Sequence, residues 1–241
     1  MFKCLTKWIA KHNFDRCYSL WLRFAHLFGV EYVSHGQNLE DNILWVLSDR
    51  KKNGFYVDIG AHNPVRFSNT YKLFREGWCG INIDPLPGFM DLFSKQRPND
   101  VNLNVGCSQT AGELMYYSFE EPAYNTFDKA RADTVIENGY STLKEKLIVP
   151  VERLDVILDK YLDNRKIDVL TLDVEKRELD VLESNNWTKY RPKVIVMESL
   201  VSVNESLDKI YDDPAVAYVI DKGYIVVAKF SNAVFFKDKQ Q

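Results

Sequence analysis

At 241 residues, with 46% hydrophobic and 27% charged side chains, the chain suits one α/β domain with a modest appendage and a sizeable core. A formal net charge of -3 weighs against a general nucleic-acid binder, which is normally basic. Cys4, Cys17, Cys79 and Cys107 form no CxxC pair and no zinc-like spacing, which favours a reducing, cytoplasmic compartment.

Residues 1–33 differ in character from the rest. Lys3, Lys7, Lys11, Arg16 and Arg23 face only Asp15, and Phe2, Leu5, Trp8, Ile9, Trp21, Phe24 and Leu27 recur near helical spacing. The pattern predicts an amphipathic helical segment packed on the domain or on a second copy of the chain. A basic helix lying on the inner face of a membrane is the other reading. No apolar stretch is long enough to span a bilayer, and no cleavable signal is evident.

From residue 34 to 241 strands and helices alternate. "GFYVDIG", "CGINID", "VNLNVGCS", "IDVLTLDVE" and "PKVIVMES" read as strands, and "SNTYKLFREGW", "PGFMDLFSKQ" and "KRELDVLESNNW" as helices. Such alternation builds a parallel sheet. Residues of about 111–150 interrupt it as an insertion, with a short strand, a loop and a further edge strand. "GYIVVAKFSNAVFFKDKQQ" reads as two strands joined too closely to be parallel. The fold predicted is α/β: a Rossmann-like, mostly parallel, seven-stranded sheet closed by an antiparallel hairpin, plus the N-terminal helical segment.

In such sheets a ligand sits beyond the carboxyl ends of the strands, so the loop after the first strand should touch it. That loop begins Asp58-Ile59-Gly60, but His62 and Pro64 stand where a pyrophosphate loop wants bare backbone. S-adenosylmethionine has no phosphate. Asp58 could meet its amino group, and Asp84, ending the second strand, its ribose hydroxyls. Equally, Asp is common at strand ends as a turn or cap residue.

These pieces, with "GQNLEDNIL", "RPNDVNLNVGCS" and "VPVERLDVIL", resemble the FkbM-type S-adenosylmethionine-dependent methyltransferases over residues 34–200. The resemblance implies S-adenosylmethionine as donor and O-methylation of sugars or natural-product hydroxyls. It places Gln37 and Glu40 beside the cofactor loop, and Asp58, Gly60, Ala61 and His62 in it. Ser68, Asn69 and Thr70 begin the following helix, Asp84 is the ribose-binding acid, and Asp173 and Glu175 form the "DVE" element. Two departures stand out: Lys176 follows "DVE" where the family usually has glycine, and Leu39 stands in "LED" where "GED" is common. Lys176 could crowd the substrate side, alter its charge preference, or mark lost activity.

Methylating a hydroxyl calls for a base, or for a metal that lowers the hydroxyl pKa. Asp173, Glu175, Glu198 and His62 are the candidates. The three carboxylates could instead bind Mg²⁺, or Glu175 and Glu178 could simply favour a helix N-terminus. Tyr124, Asn125, Thr126 and Arg131 in the insertion could contact a hydroxylated acceptor, with Arg131 meeting an anionic group such as a nucleotide diphosphate, and an exposed loop explains them as well. The expected activity is methylation of a sugar, nucleotide-sugar or surface-glycan hydroxyl. A non-catalytic cofactor-binding or scaffold protein and a nucleotide-dependent oxidoreductase are the alternatives.

Overall fold

A computed structural model describes residues 33–199, 201 and 204–240. The predicted helical segment at 1–33 lies, but for Val33, outside them. In chain order the elements are α1 (Glu40–Leu47), β1 (Phe55–Ile59), α2 (Tyr71–Arg75), β2 (Cys79–Ile83), α3 (Phe89–Gln96), β3 (Val101–Leu103), β4 (Gly106–Cys107) and β5 (Gly112–Phe119). A 3-10 turn (Pro122–Tyr124), α4 (Lys129–Glu137), β6 (Leu143–Glu152), α5 (Leu154–Tyr161), β7 (Val169–Leu172), α6 (Glu178–Glu183) and β8 (Val194–Glu198) follow. A second 3-10 turn (Leu207–Asp212), α7 (Pro214–Asp221), β9 (Tyr224–Phe230) and β10 (Ala233–Asp238) complete the chain.

The main sheet runs β3-β2-β1-β7-β8-β10-β9. Its first five strands are parallel, and the β9–β10 hairpin joins β8 antiparallel, as expected. Strands covered on both faces need apolar side chains in both directions, and β1, β7 and β8 supply them. Val57, Ile59, Leu170 and Ile195 face one core with Leu154, Ile157 and Leu158 of α5. Tyr56, Val169, Val194 and Phe235 face the other, against Leu44 of α1 and Leu73 of α2.

Two expectations change. "VNLNVGCS" is not one strand: Asn104 turns its amide onto the carbonyls of Asp84 (2.9 Å) and Leu86 (3.0 Å), and the chain leaves the main sheet there. β4 instead pairs with β6 in a second sheet, β4-β6-β5. The insertion also holds a helix, α4, capped by Asp128, whose carboxylate accepts the Arg131 amide N–H at 2.6 Å. β6 is therefore the centre of a small sheet, not an edge of the large one.

Candidate functional site

Strand order reverses at β1, which lies between β2 and β7, and a cleft of about 480 Å³ opens beyond the carboxyl ends of these strands. Asp58, Gly60, Ala61 and His62 line it from the β1 loop, Asp84 from β2, Asp173 and Glu175 from β7, and Glu198 from β8. Gln37 and Glu40 close one side, Asn69 another, and Tyr124, Asn125, Thr126 and Arg131 belong to the insertion above. Ser68, Thr70 and Lys176 are not in the lining. The first two lie buried behind the loop, and Lys176 is exposed outside the cleft.

The need for glycine at Gly60 comes from the protein itself. A Cβ there would sit 1.8 Å from the carbonyl oxygen of Asp173, and φ is +78°. The Asp173 amide donates to the Ile59 carbonyl at 3.0 Å, so the β1 loop and the β7 end are bound together at this point. Asp84 shapes the rest of the turn, accepting the amide N–H of His62 at 2.9 Å and of Leu86 at 2.8 Å. Burial pushes its carboxyl up to about 7 against those two donors. Burial, then the Arg66 charge, pulls His62 down to about 4 and keeps the ring neutral. Its Nε2 is buried without a partner at the cleft wall.

Arg97, a residue the sequence alone does not single out, is wholly buried beneath the loop. Its Nη1 donates to the Thr70 hydroxyl at 2.8 Å and the Tyr56 hydroxyl at 3.1 Å, and its Nη2 to Ser68 Oγ at 2.8 Å and to the Pro64 carbonyl. Rings of Phe93, Phe74, Tyr71 and Tyr56 surround the guanidinium at 5.1–5.9 Å. Thr70 in turn donates to Asp58 at 2.6 Å, and Tyr56 to Asp100.

Asp173, Glu175 and Glu198 come together as the strand ends predict, with one oxygen from each within 4.8 Å of the others. The protein around Asp173, then the like charges of Glu198 and Glu175, hold its carboxyl well above the usual range. Its side chain is nonetheless exposed to the cleft, where the carboxylates of Glu198 and Glu175 face it. Burial, then Glu175, pushes Glu198 to about 8, and its Oε2 has no hydrogen-bond partner. Glu175 is raised by burial but opposed by Arg131, whose Nε donates to it at 2.8 Å. Glu178 opens α6 and accepts the Val174 amide N–H at 3.2 Å, the helix-terminal role weighed for it.

The insertion roofs the cleft through polar ties. The Arg66 fork meets both carboxylate oxygens of Glu121 at 3.0 and 3.1 Å. Thr126 donates to the Glu175 carbonyl at 3.0 Å and accepts the Asp128 amide N–H at 2.9 Å, while Asn125 accepts the Phe119 amide N–H at 2.7 Å. Tyr124 stacks on Tyr140 with centroids 6.1 Å apart. Aromatic lining residues that sequence reasoning missed are Phe67, Phe89, Tyr116 and Phe127, which carry no signature beyond their apolarity.

Both departures from the family pattern fall on left-handed backbone: Leu39 has φ +67° and Lys176 φ +79°. Glycine takes that conformation freely, whereas a side chain is strained in it. Lys176 therefore does not crowd the cleft; it strains the turn beside it. Lys176→Gly should raise stability by about 1 kcal/mol and the unfolding midpoint by a few degrees, read by thermal denaturation.

The model of a family described as "Methyltransferase FkbM domain" matches residues 58–218. No curated protein matches the chain. Among solved structures, the chain is similar to an O-methyltransferase from Bacillus cereus in complex with SAH, at 12% identity, TM-score 0.42, and 98% and 97% coverage of this chain and that one. It is also similar to a precorrin-6y C5,15-methyltransferase from Geobacter metallireducens, at 13%, TM-score 0.41, and 81% and 85% coverage. A TehB-like SAM-dependent methyltransferase from Corynebacterium glutamicum gives 10%, TM-score 0.42, and 94% and 100% coverage. At these values the likenesses do not bear on what this chain does.

Proposed function

This chain belongs to the FkbM methyltransferase family, and from that premise we propose that it moves a methyl group from S-adenosylmethionine to a hydroxyl of a sugar or glycan. The donor supplies, when bound, a methyl carbon already activated by a sulfonium. The cleft suits such a ligand: Asp84 keeps lone pairs for ribose hydroxyls after accepting two amides, and the unpartnered His62 Nε2 stands ready for a polar ligand atom. The volume falls in the range usual for small-molecule sites.

The observation that carries the reading is the gathering of Asp173, Glu175 and Glu198 on the same cleft as Asp84. Close carboxylates share protons, so one member ionises near neutral pH, where a base can take a hydroxyl proton. Arg131 holds Glu175, which leaves Asp173 and Glu198 as the proton acceptors. His62, pulled down to about 4, is too weak a base to compete with them. The trio also offers the oxygen donors that Mg²⁺ takes, so the acceptor hydroxyl could be activated by a metal instead.

The lining also narrows the acceptor. Glu40, Asp58, Asp84, Asp173 and Glu198 face the cleft, and Arg66 and Arg131 are tied to Glu121 and Glu175. A neutral hydroxylated acceptor fits that field better than the diphosphate of a nucleotide sugar.

Calorimetric titration with S-adenosylhomocysteine tests the cofactor half. Wild type should bind, Asp84→Ala should bind about a hundredfold more weakly, and NAD should not bind. A folded protein that binds no S-adenosylhomocysteine would sink the reading. With binding in hand, screening neutral and diphosphate-bearing sugars with labelled donor tests the acceptor class.

A further inference from the structure

The chemistry of the cleft depends on a layer of residues beneath it. Arg97 has only donors, so each hydroxyl it meets must accept from it and point its own hydrogen elsewhere. The Thr70 hydrogen goes to Asp58 Oδ2 and the Tyr56 hydrogen to Asp100. One buried cation thereby orients two hydroxyls onto two carboxylates. The same guanidinium holds the Pro64 carbonyl and Ser68 Oγ, at the middle and the end of the loop that borders the cleft. A buried arginine is expensive unless its donors are used and counter-charges stand near. This one spends its terminal nitrogens on the cofactor loop, the Asp58 relay, Tyr56 and Asn82, and leaves only its Nε without a partner.

We infer that Arg97 is a positioning residue for the cofactor: through Thr70 it keeps Asp58 charged toward the amino end of the ligand, and through Pro64 and Ser68 it fixes the loop. The inference rests on the reading that this cleft takes S-adenosylmethionine.

Asp58 needs the help. Burial pushes its carboxyl up to about 6, opposed by Thr70 and Arg97, with Asp100 adding like charge from below. Asp84, at the end of β2, and Asp173, at the end of β7, are further carboxylates facing it. With the Thr70 donor gone, Asp58 should hold its proton at pH 7, and a neutral acid no longer attracts an ammonium group. Raising the pH should restore the charge and the binding.

Arg97→Met strips the buried hub of all its hydrogen bonds and so confounds folding with binding, which makes the variants at Thr70 the decisive ones. S-adenosylhomocysteine binding is measured by calorimetry on wild type, Thr70→Ser and Thr70→Val at pH 7 and pH 9. Thr70→Ser keeps the relay and should match wild type within about threefold at both pH values. Thr70→Val should bind about tenfold more weakly at pH 7 and recover to within about threefold at pH 9. Comparing the two variants at each pH cancels the titration of Asp84 and of the ligand. Arg97→Lys keeps the charge but loses the fork, and should weaken binding at both pH values. Equal binding by the two Thr70 variants, or a Thr70→Val loss of the same size at pH 7 and 9, overturns the relay. A wild type that binds no S-adenosylhomocysteine overturns the cofactor reading as well, and is thereby told apart from failure of the relay alone.

Discussion

Gly60→Ala should lower stability by about 4 kcal/mol or more, enough to leave little soluble folded protein. Two effects add. The left-handed backbone at φ +78° disfavours any side chain, and a methyl group would overlap the Asp173 carbonyl at 1.8 Å. The turn has nowhere to retreat. The Gly60 and Ala61 amides donate to the Ile83 carbonyl of β2 at 3.0 and 3.1 Å, and Ile59 accepts from Asp173 on the β7 side. Chemical denaturation of the purified variant gives the result. A loss under about 1 kcal/mol would mean that the β1 loop and the β7 end can part, and that their joint geometry does not hold the site.

Glu198→Gln should cut kcat by about a thousandfold while leaving S-adenosylhomocysteine affinity within a few-fold of wild type. Glutamine keeps the shape and removes the proton-accepting oxygen. The wild-type rate carries a matching pH signature. A base works only when deprotonated, and Glu198 is pushed to about 8 by burial and Glu175, so kcat should climb with pH and reach half its plateau near there. Because the three carboxylates share their protons, that midpoint belongs to the cluster. Steady-state rates on the acceptor found by screening, from pH 6 to 9.5, test both statements. An unimpaired Glu198→Gln with a sloping profile would remove Glu198 from the chemistry and leave Asp173 as the base, whereas a flat profile would remove the carboxylate cluster as the source of the base.

The parallel strands β1, β2, β7 and β8 are legible in the sequence because each is a mostly apolar run with Asp or Glu at or beside its carboxyl end, as in "FYVDI" and "VIVME". The acids at their ends fall where the reading puts them. The insertion is harder. "KARADTVIE" is mostly polar, only Ala132 and Val135 of it are buried, and so its helical period barely registers. Its one clear signal is the Asp128 cap. Arg97 is invisible for a different reason. In "RPND" an arginine is ordinarily a surface residue, and what buries it is a set of hydroxyls and rings from β1, the cofactor loop, α2 and α3. Ser68 and Thr70 belong to that set too, and they stand one layer behind the cleft lining. Lys176 stands out in the sequence only as a replacement for the family's usual glycine, and the left-handed backbone at φ +79° locates its strain in the turn beside the cleft.

The strand order also sets a timetable for synthesis. β1 lies inside the sheet between β2, which follows within a few tens of residues, and β7, which begins roughly 110 residues after β1 ends. At about 5–20 residues per second, one side of β1 waits on the order of ten seconds for its neighbour. Asp58, Asp84 and Arg97 can take their places during that wait, whereas Asp173 and Glu198 have not yet been made. The nascent chain thus carries an unpaired edge, the kind that chaperones cover and that aggregates when they do not. A ribosome stalled before Val169 would display the adenosine side of the cleft on an open sheet, with no carboxylate trio facing it.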